Sequence, residues 1–359
     1  MSENKNSGFD IDLGNLCSKD AFEWAKTTFK NRENKAGSIA LKVDGVFSNM
    51  LIFGNQRIGI GSDGIGTKIE LAERTGIYDT LGYDLVAMVA DDLATAGFEP
   101  TSISNIIDVD VLDRDIINDL MRGLADACHS SGISITGGEI AELGPRINGY
   151  GTRMHFNWCS TAIGVLPENM EKPIDGSEVK AGMAVVALRS RGFRSNGFSL
   201  LRKIMYQTLG ENWHNESYNE DQTWGQALLT PALIYCKLIN SIIVSGIIPK
   251  GAAHITGGGI ADNFRRVLKT SSCGAVLDQL FEPLELMKRV MELGKVSEED
   301  AYQYWNMGNG MLLVVEDSEV EPFVQIAAEA GFMAQKAGSI TSSSEIIIQT
   351  KSKELIYSY

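Results

Sequence analysis

The chain has 359 residues, 44% of them hydrophobic and 22% charged, the composition of an ordinary globular protein long enough for two cores. Its formal net charge of −14 argues against nucleic acid as a natural partner, because gripping a phosphate backbone takes clustered Lys and Arg. The start, Met1-Ser2-Glu3-Asn4-Lys5-Asn6, is polar, and no stretch approaches the roughly 20 apolar residues of a membrane span, so the expectation is a cytoplasmic protein with no membrane partner. Five cysteines (Cys17, Cys128, Cys159, Cys236, Cys273), an odd number without metal-ligand spacing, read as buried reduced thiols.

The first informative element is a strand over residues 55–61 that runs into Gly61-Ser62-Asp63-Gly64-Ile65-Gly66-Thr67-Lys68. Asp63 is expected where the strand ends, with Gly64 and Gly66 letting the backbone approach a ligand and Thr67 and Lys68 adding a hydroxyl and a cation. This is the grammar of a phosphate site, although Asp-Gly also makes a plain hairpin turn. Over residues 80–97, Leu81, Leu85, Met88, Val89 and Leu93 recur at helical spacing and leave Asp84, Asp91 and Asp92 on the remaining arc. Carboxylates so crowded either face water or need a counter-cation, and Mg²⁺ shared with nucleotide phosphates is the usual one.

Further along, the pattern predicts strands at 102–108, 133–137 and 161–166 and a helix at 114–131. The turn-rich stretch 167–182 is the candidate boundary, dividing the chain into an N-terminal nucleotide-binding and dimerisation domain, 1–167, and a C-terminal domain, 168–359. In the second half a strand is expected at 184–188, helices at 199–209 and 227–245, and a strand at 310–315. Two segments echo each other: Ile135-Thr136-Gly137-Gly138-Glu139 and Ile255-Thr256-Gly257-Gly258-Gly259 each read as a strand ending in glycines ahead of a helix, a geometry that can hold an anion. His129, His155 and His214 have no ligand-spaced partners and read as structural or surface residues.

Together with Gly8-Phe9-Asp10-Ile11-Asp12, the 62–68 run, Gly82-Tyr83-Asp84-Leu85, Gly137-Gly138-Glu139, Ser195-Asn196-Gly197-Phe198-Ser199-Leu200, His254-Ile255-Thr256-Gly257-Gly258-Gly259 and Asn306-Met307-Gly308-Asn309, the chain resembles the aminoimidazole ribonucleotide synthetase family, the phosphoribosylformylglycinamidine cyclo-ligases. The resemblance runs in order from about residue 8 to about residue 340. It implies an α/β (α+β) fold of two domains, the N-terminal mixed domain pairing with its twin into a dimeric barrel and the C-terminal one forming an α/β sandwich. It further implies a homodimer that uses ATP and Mg²⁺ to close the imidazole ring of a formylglycinamidine ribonucleotide in purine biosynthesis, through a phosphorylated amide-type intermediate.

Carried onto this chain, the family pattern implies catalytic roles for Asp63, Lys68, Arg194 and His254 and metal binding by Asp63, Asp91, Asp92 and Glu139. Gly64, Gly66, Thr67, Lys68, Gly137, Gly138, Ser195, Asn196, Gly257, Gly258 and Gly259 would contact ATP or the ribonucleotide. The chain departs from the pattern where Arg194 replaces the usual histidine and Asp91 a common asparagine. It also has a reduced glycine-rich segment at 35–40, and it differs at Ile140 and over residues 144–147. An arginine cannot shuttle protons near neutral pH. The departures keep open a repurposed nucleotide-binding paralogue, or a sister enzyme acting on another small acceptor.

Overall fold

The computed structural model describes residues 11–40 and 49–358; motif residues 8–10 lie outside them. After helix α1 (Ile11–Thr27), the first half of the chain supplies β1 (Ser38–Ile39), β2 (Asn49–Phe53), β3 (Gln56–Gly64), α2 (Ile69–Thr75), α3 (Leu81–Thr95), β4 (Glu99–Val109), α4 (Arg114–Ser131), β5 (Ser134–Glu142) and β6 (Phe156–Val165). Its six strands form one sheet in the order β1-β2-β3-β6-β4-β5. Among the described strands of this sheet only β4 and β5 run parallel, and α4 makes the crossover that such a pair requires. Local sequence sets the ends of α4: Asp113 accepts hydrogen bonds from the N–H groups of Asp115 and Ile116, and Gly132 closes the helix in the left-handed conformation.

The second half supplies β7 (Ala184–Arg189), α5 (Phe198–Leu209), α6 (Trp224–Leu228), α7 (Cys236–Val244), β8 (Gly251–His254), α8 (Gly259–Lys269), β9 (Gly274–Leu277), α9 (Glu285–Gly294), α10 (Glu298–Tyr304), β10 (Asn309–Val315), α11 (Val320–Glu329), β11 (Ala334–Thr341), β12 (Glu345–Gln349) and β13 (Glu354–Ser358). Its seven strands are ordered β13-β12-β9-β11-β7-β10-β8. The central strands β7 and β10 are apolar along almost their whole length and buried on both faces. The architecture is thus two mixed sheets with helices, a two-domain α/β fold.

Helix α3 joins the halves. It packs on β3, β4 and β6 and against α4, and its other side reaches α7 and β8 of the second half. Almost every residue of it is buried, Asp84 and Asp91 included. The opposite face of the first sheet carries Leu51, Ile58, Ile60, Ile106, Ile163 and Val165, placed together by strand register and only half-buried or exposed.

Three expectations need correction. The helix foreseen at 227–245 is two helices, because Pro231 cannot donate a backbone hydrogen bond and steers the residue before it away from helix. The strand foreseen to stop at Gly137 runs on to Glu142 with no helix after it, so Gly137-Gly138 is not a strand-to-helix turn. Gly138 sits where β4 comes close, and a Cβ there would stand 2.1 Å from the Asn105 carbonyl oxygen. Cys17 is exposed on α1 and Cys159 half-buried, while Cys128, Cys236 and Cys273 are buried free thiols. Among the described residues no helix is long and apolar enough to cross a membrane.

Candidate functional site

A cleft of about 780 Å³ opens between the two halves. Gly66 and Thr67, between β3 and α2, line one wall. The other is built from the Ser195–Leu200 segment, Gly257 and Gly258 ahead of α8, and Asp262, Arg265 and Arg266 on α8. Gly14 and Ser18 of α1 also line it.

The glycine turn owes its shape to Asn263, which is fully buried. Its Nδ2 donates to the carbonyls of Gly257 at 3.1 Å and Gly259 at 2.7 Å. Helix α8 begins beyond Gly258, which has φ 91° and no side-chain cap, so this end of the helix dipole is open towards the cleft. Gly259 serves packing instead: a Cβ there would stand 2.0 Å from the Tyr302 carbonyl oxygen. On the same wall, Ser195 is buried and its Oγ has no hydrogen-bond partner. A buried hydroxyl left unpaired costs stability unless a ligand satisfies it.

Arg265 and Arg266 were missed by sequence reasoning. Helical side chains lean towards the N-terminus, so both point back towards the glycine turn, and in a chain of net charge −14 they bring two cations to one wall of the cleft. The signal available was their place two turns beyond Gly258 on a strongly amphipathic segment. The motif asparagines Asn306 and Asn309 are structural: Asn306 bonds the Gly192 carbonyl at 3.0 Å and Asn309 brackets Phe281 through its N–H and carbonyl.

The three aspartates of α3 receive different partners. Asp84 meets the Lys68 ammonium at 2.7 Å, both side chains at 0% exposure. Lys68 also donates to the Thr230 carbonyl at 3.0 Å. Lys68 was expected to touch phosphate; it is turned away from the cleft, because its charge is already balanced within the core. Asp91 accepts from the N–H groups of Tyr235 and Cys236 at 2.7 and 2.9 Å and from Arg194 Nη2 at 2.9 Å. Both carboxylate oxygens are engaged and the side chain is fully buried, so Asp91 does not present a carboxylate to the cleft. Two of the departures from the family pattern, Asp91 and Arg194, therefore neutralise each other.

Asp92 is partly open, with 17% side-chain exposure, and its Oδ1 lies 2.8 Å from His254 Nδ1. Burial pushes its carboxyl up to about 8, against the pull of the Arg266 and Arg194 charges. Asp63, at the end of β3, keeps contact with solvent and receives the Gly64 N–H at 2.7 Å. Its carboxyl is raised first by desolvation; the Gly64 N–H lowers it and the nearby Asp92 charge adds to the rise. Two coupled carboxylates that resist ionisation suit a divalent cation completed by phosphate oxygens and water. They do not make a closed protein cage: among the described residues no group of three or more His, Cys, Asp or Glu is assembled. Glu139, expected with them, pairs in register with Ile106 on the outer face of the sheet, away from Asp63 and Asp92. His254, expected along the phosphate wall, is fully buried with both ring nitrogens engaged, and burial together with the Arg194 charge pushes it down to about 3.

Of the expected site residues, then, the cleft gathers Gly66, Thr67, Ser195, Asn196, Gly257 and Gly258. Asp63, Gly64, Lys68, Asp91, Asp92, Gly137, Gly138, Glu139, Arg194, His254 and Gly259 are not among its lining residues.

Known proteins match this chain in sequence and in fold. The pattern of AIR synthase related protein matches the chain over residues 38–166 for its N-terminal domain and 180–351 for its C-terminal domain. The phosphoribosylformylglycinamidine cyclo-ligase of Carboxydothermus hydrogenoformans is 36% identical over 289 residues, covering 80% of this chain and 81% of the relative. That of Fusobacterium nucleatum is 32% identical over 336 residues, covering 94% and 96%. At the level of fold, a solved structure described as AaThiL complexed with AMPPCP and TMP superposes with a TM-score of 0.59 at 14% identity, covering 94% of this chain and 96% of its own. Sequence identity sustained across both sheets makes this chain a member of the AIR synthase-related protein family.

Proposed function

We propose that the chain is an ATP-dependent cyclo-ligase that converts formylglycinamidine ribonucleotide to aminoimidazole ribonucleotide. The observation that carries this reading is the inter-domain cleft, where unpartnered Ser195 Oγ, the open end of α8 and two arginines converge opposite the Gly66–Thr67 turn. That is a wall for a phosphate-bearing ligand facing a turn suited to a nucleotide. Support also comes from relatives bearing the cyclo-ligase name that match at above 30% identity over four-fifths or more of the chain.

In this reading the Gly66–Thr67 turn holds the ATP phosphates, and Asp63 and Asp92 would hold Mg²⁺ against them. The cation supplies neutralisation of the transferring phosphoryl charge. Arg265, Arg266, Ser195 and the Gly257–Gly258 N–H groups bind the ribonucleotide phosphate, leaving its formamide end towards the nucleotide. The formyl-derived oxygen takes the γ-phosphoryl group of ATP and ADP is released. An internal nitrogen then attacks the carbon that bears the phosphorylated oxygen, the ring closes as the nitrogen gives up its proton, and phosphate leaves. Positioning is what these residues contribute, because effective molarity from a fixed geometry accounts for much of such a barrier.

Two copies pair through the outer face of the first sheet, where Ile106 is 51% and Ile163 41% exposed. An apolar sheet face of this kind is covered economically by a second copy. The test of the function is ADP release from Mg·ATP with and without formylglycinamidine ribonucleotide. Turnover that needs both substrates and collapses in Asp63→Asn supports the cyclo-ligase; tight ATP binding with no ribonucleotide-stimulated ADP sinks it in favour of a paralogue or a sister enzyme.

A further inference from the structure

The buried ring of His254 stands between two partners. Its Nε2 lies 2.7 Å from Arg194 Nη2, and its Nδ1 lies 2.8 Å from Asp92 Oδ1. A guanidinium carries only donors. Nε2 therefore accepts, and the single proton of the neutral ring sits on Nδ1 and is donated to Asp92.

Arg194 is not free to release the ring. Its backbone is in the left-handed region at φ 61°, Nη1 donates to the Leu233 carbonyl at 2.8 Å, and Nη2 also bonds Asp91. The Tyr235 ring centroid lies 5.0 Å from its guanidinium carbon. Asp91 is anchored in turn by the first N–H groups of α7. The chain of bonds thus starts from fixed backbone of the second half and ends on a carboxylate of the first.

We propose that Arg194 is a positioning residue: by occupying His254 Nε2 it fixes the Nδ1–H tautomer, and His254 then holds the Asp92 carboxylate facing Asp63, ready to share a divalent cation with nucleotide phosphates. Without a donor at Nε2 the neutral ring exchanges between tautomers. In the Nε2–H form the Nδ1 lone pair confronts the ionised Asp92 that a cation requires, and the carboxylate turns away. Neutralising Asp91 alone would need only one of the Nη2 contacts; the second contact, to the ring, is what carries the positioning role. The part concerning the cation rests on the function proposed above, while the tautomer does not.

The test uses the full chain labelled with ¹⁵N at histidine, comparing wild type, Arg194→Lys and the double variant Arg194→Met/Asp91→Asn. The double variant removes both buried charges together and keeps an acceptor for the Tyr235 and Cys236 N–H groups, so folding is preserved. The ring signal of His254 is assigned by its loss in His254→Asn. Long-range ¹H–¹⁵N correlation reads the tautomer, and Mn²⁺ binding in the presence of AMPPCP is followed by electron paramagnetic resonance. The expected result is a protonated Nδ1 in wild type, tautomer averaging in the double variant, and Mn²⁺ affinity weakened roughly 10- to 100-fold, as for other lost outer-shell partners. Arg194→Lys, which keeps a donor, recovers part of both signals. A wild-type ring protonated on Nε2, or a double variant with the wild-type tautomer, overturns the proposal. Tautomer averaging with unchanged Mn²⁺ affinity overturns the role assigned to Asp92. Wild type that binds no Mn²⁺ with AMPPCP sinks the nucleotide reading itself, and the tautomer signal still decides the Arg194–His254 relation.

Discussion

Lys68 Nζ and Asp84 Oδ2 meet at 2.7 Å with neither side chain reaching solvent. A pair so placed is costly to break on one side, because the survivor is an uncompensated buried charge. Lys68→Met is expected to lose about 3–5 kcal/mol of stability, and Lys68→Met/Asp84→Leu to recover most of it. Denaturant midpoints measure this. If the double variant is stable yet fails to bind ATP, Lys68 reaches the nucleotide after all.

Asp92 and His254 titrate out of their ordinary ranges in opposite senses, chiefly through burial. With no cation bound, the folded chain takes up the Asp92 proton near pH 8, well before the unfolded chain does, so stability rises as pH falls from there towards the ordinary carboxylate range. As pH falls below 6.5 towards about 3, the unfolded chain protonates this histidine and the folded chain does not, so stability falls. Asp92→Asn is expected to remove the first effect and His254→Asn the second. Melting profiles of Asp92→Asn and wild type that stay parallel from neutral pH to pH 8 would exclude the buried-carboxyl effect.

Arg265 lines the cleft and keeps 46% side-chain exposure, with Asp262 3.5 Å away. Loss of a charged hydrogen bond to phosphate costs about 1.5–3 kcal/mol. For Arg265→Ala we expect KM for the ribonucleotide to rise roughly ten- to hundred-fold, with kcat and KM for ATP nearly unchanged. Steady-state kinetics with each substrate varied in turn will show it; an effect confined to ATP would place the ribonucleotide phosphate elsewhere.

Ile106, on β4 next to the edge strand β5, lies on the outer face of the first sheet beside Glu139 and Cys159 in register. Placing a carboxylate there would put like charges across the contact between two copies proposed above. Ile106→Glu is expected to shift sedimentation from dimer to monomer without a large change in melting of the monomer. An unchanged sedimentation coefficient would mean that this face is not the contact.

The sequence disclosed the order of strands and helices around the site, because Asp63-Gly64, the apolar period of α3 and the Gly257–Gly259 run are all local signals. What it concealed was who partners whom. Lys68 and Asp84 are 16 positions apart, and Arg194 lies 103 positions from Asp91; nothing in either segment alone reveals that the charges cancel in the core. The same blindness turned Gly138 into a candidate ligand residue, although its missing side chain makes room for the neighbouring strand. Ser195 was found through its motif, but its orphaned hydroxyl became visible only once Oγ was seen buried without a partner.

Helix α3 contributes to both cores and carries two carboxylates whose counter-charges or donors come partly from beyond residue 190. Neither half is therefore a self-sufficient folding unit. Cutting the chain in the 167–182 stretch would strand Asp91 in an apolar surface with nothing to answer its charge, and heating should melt both sheets in one calorimetric transition. A gene encoding this protein is therefore not expected to be divisible at its most obvious seam without a compensating change in the helix that straddles it.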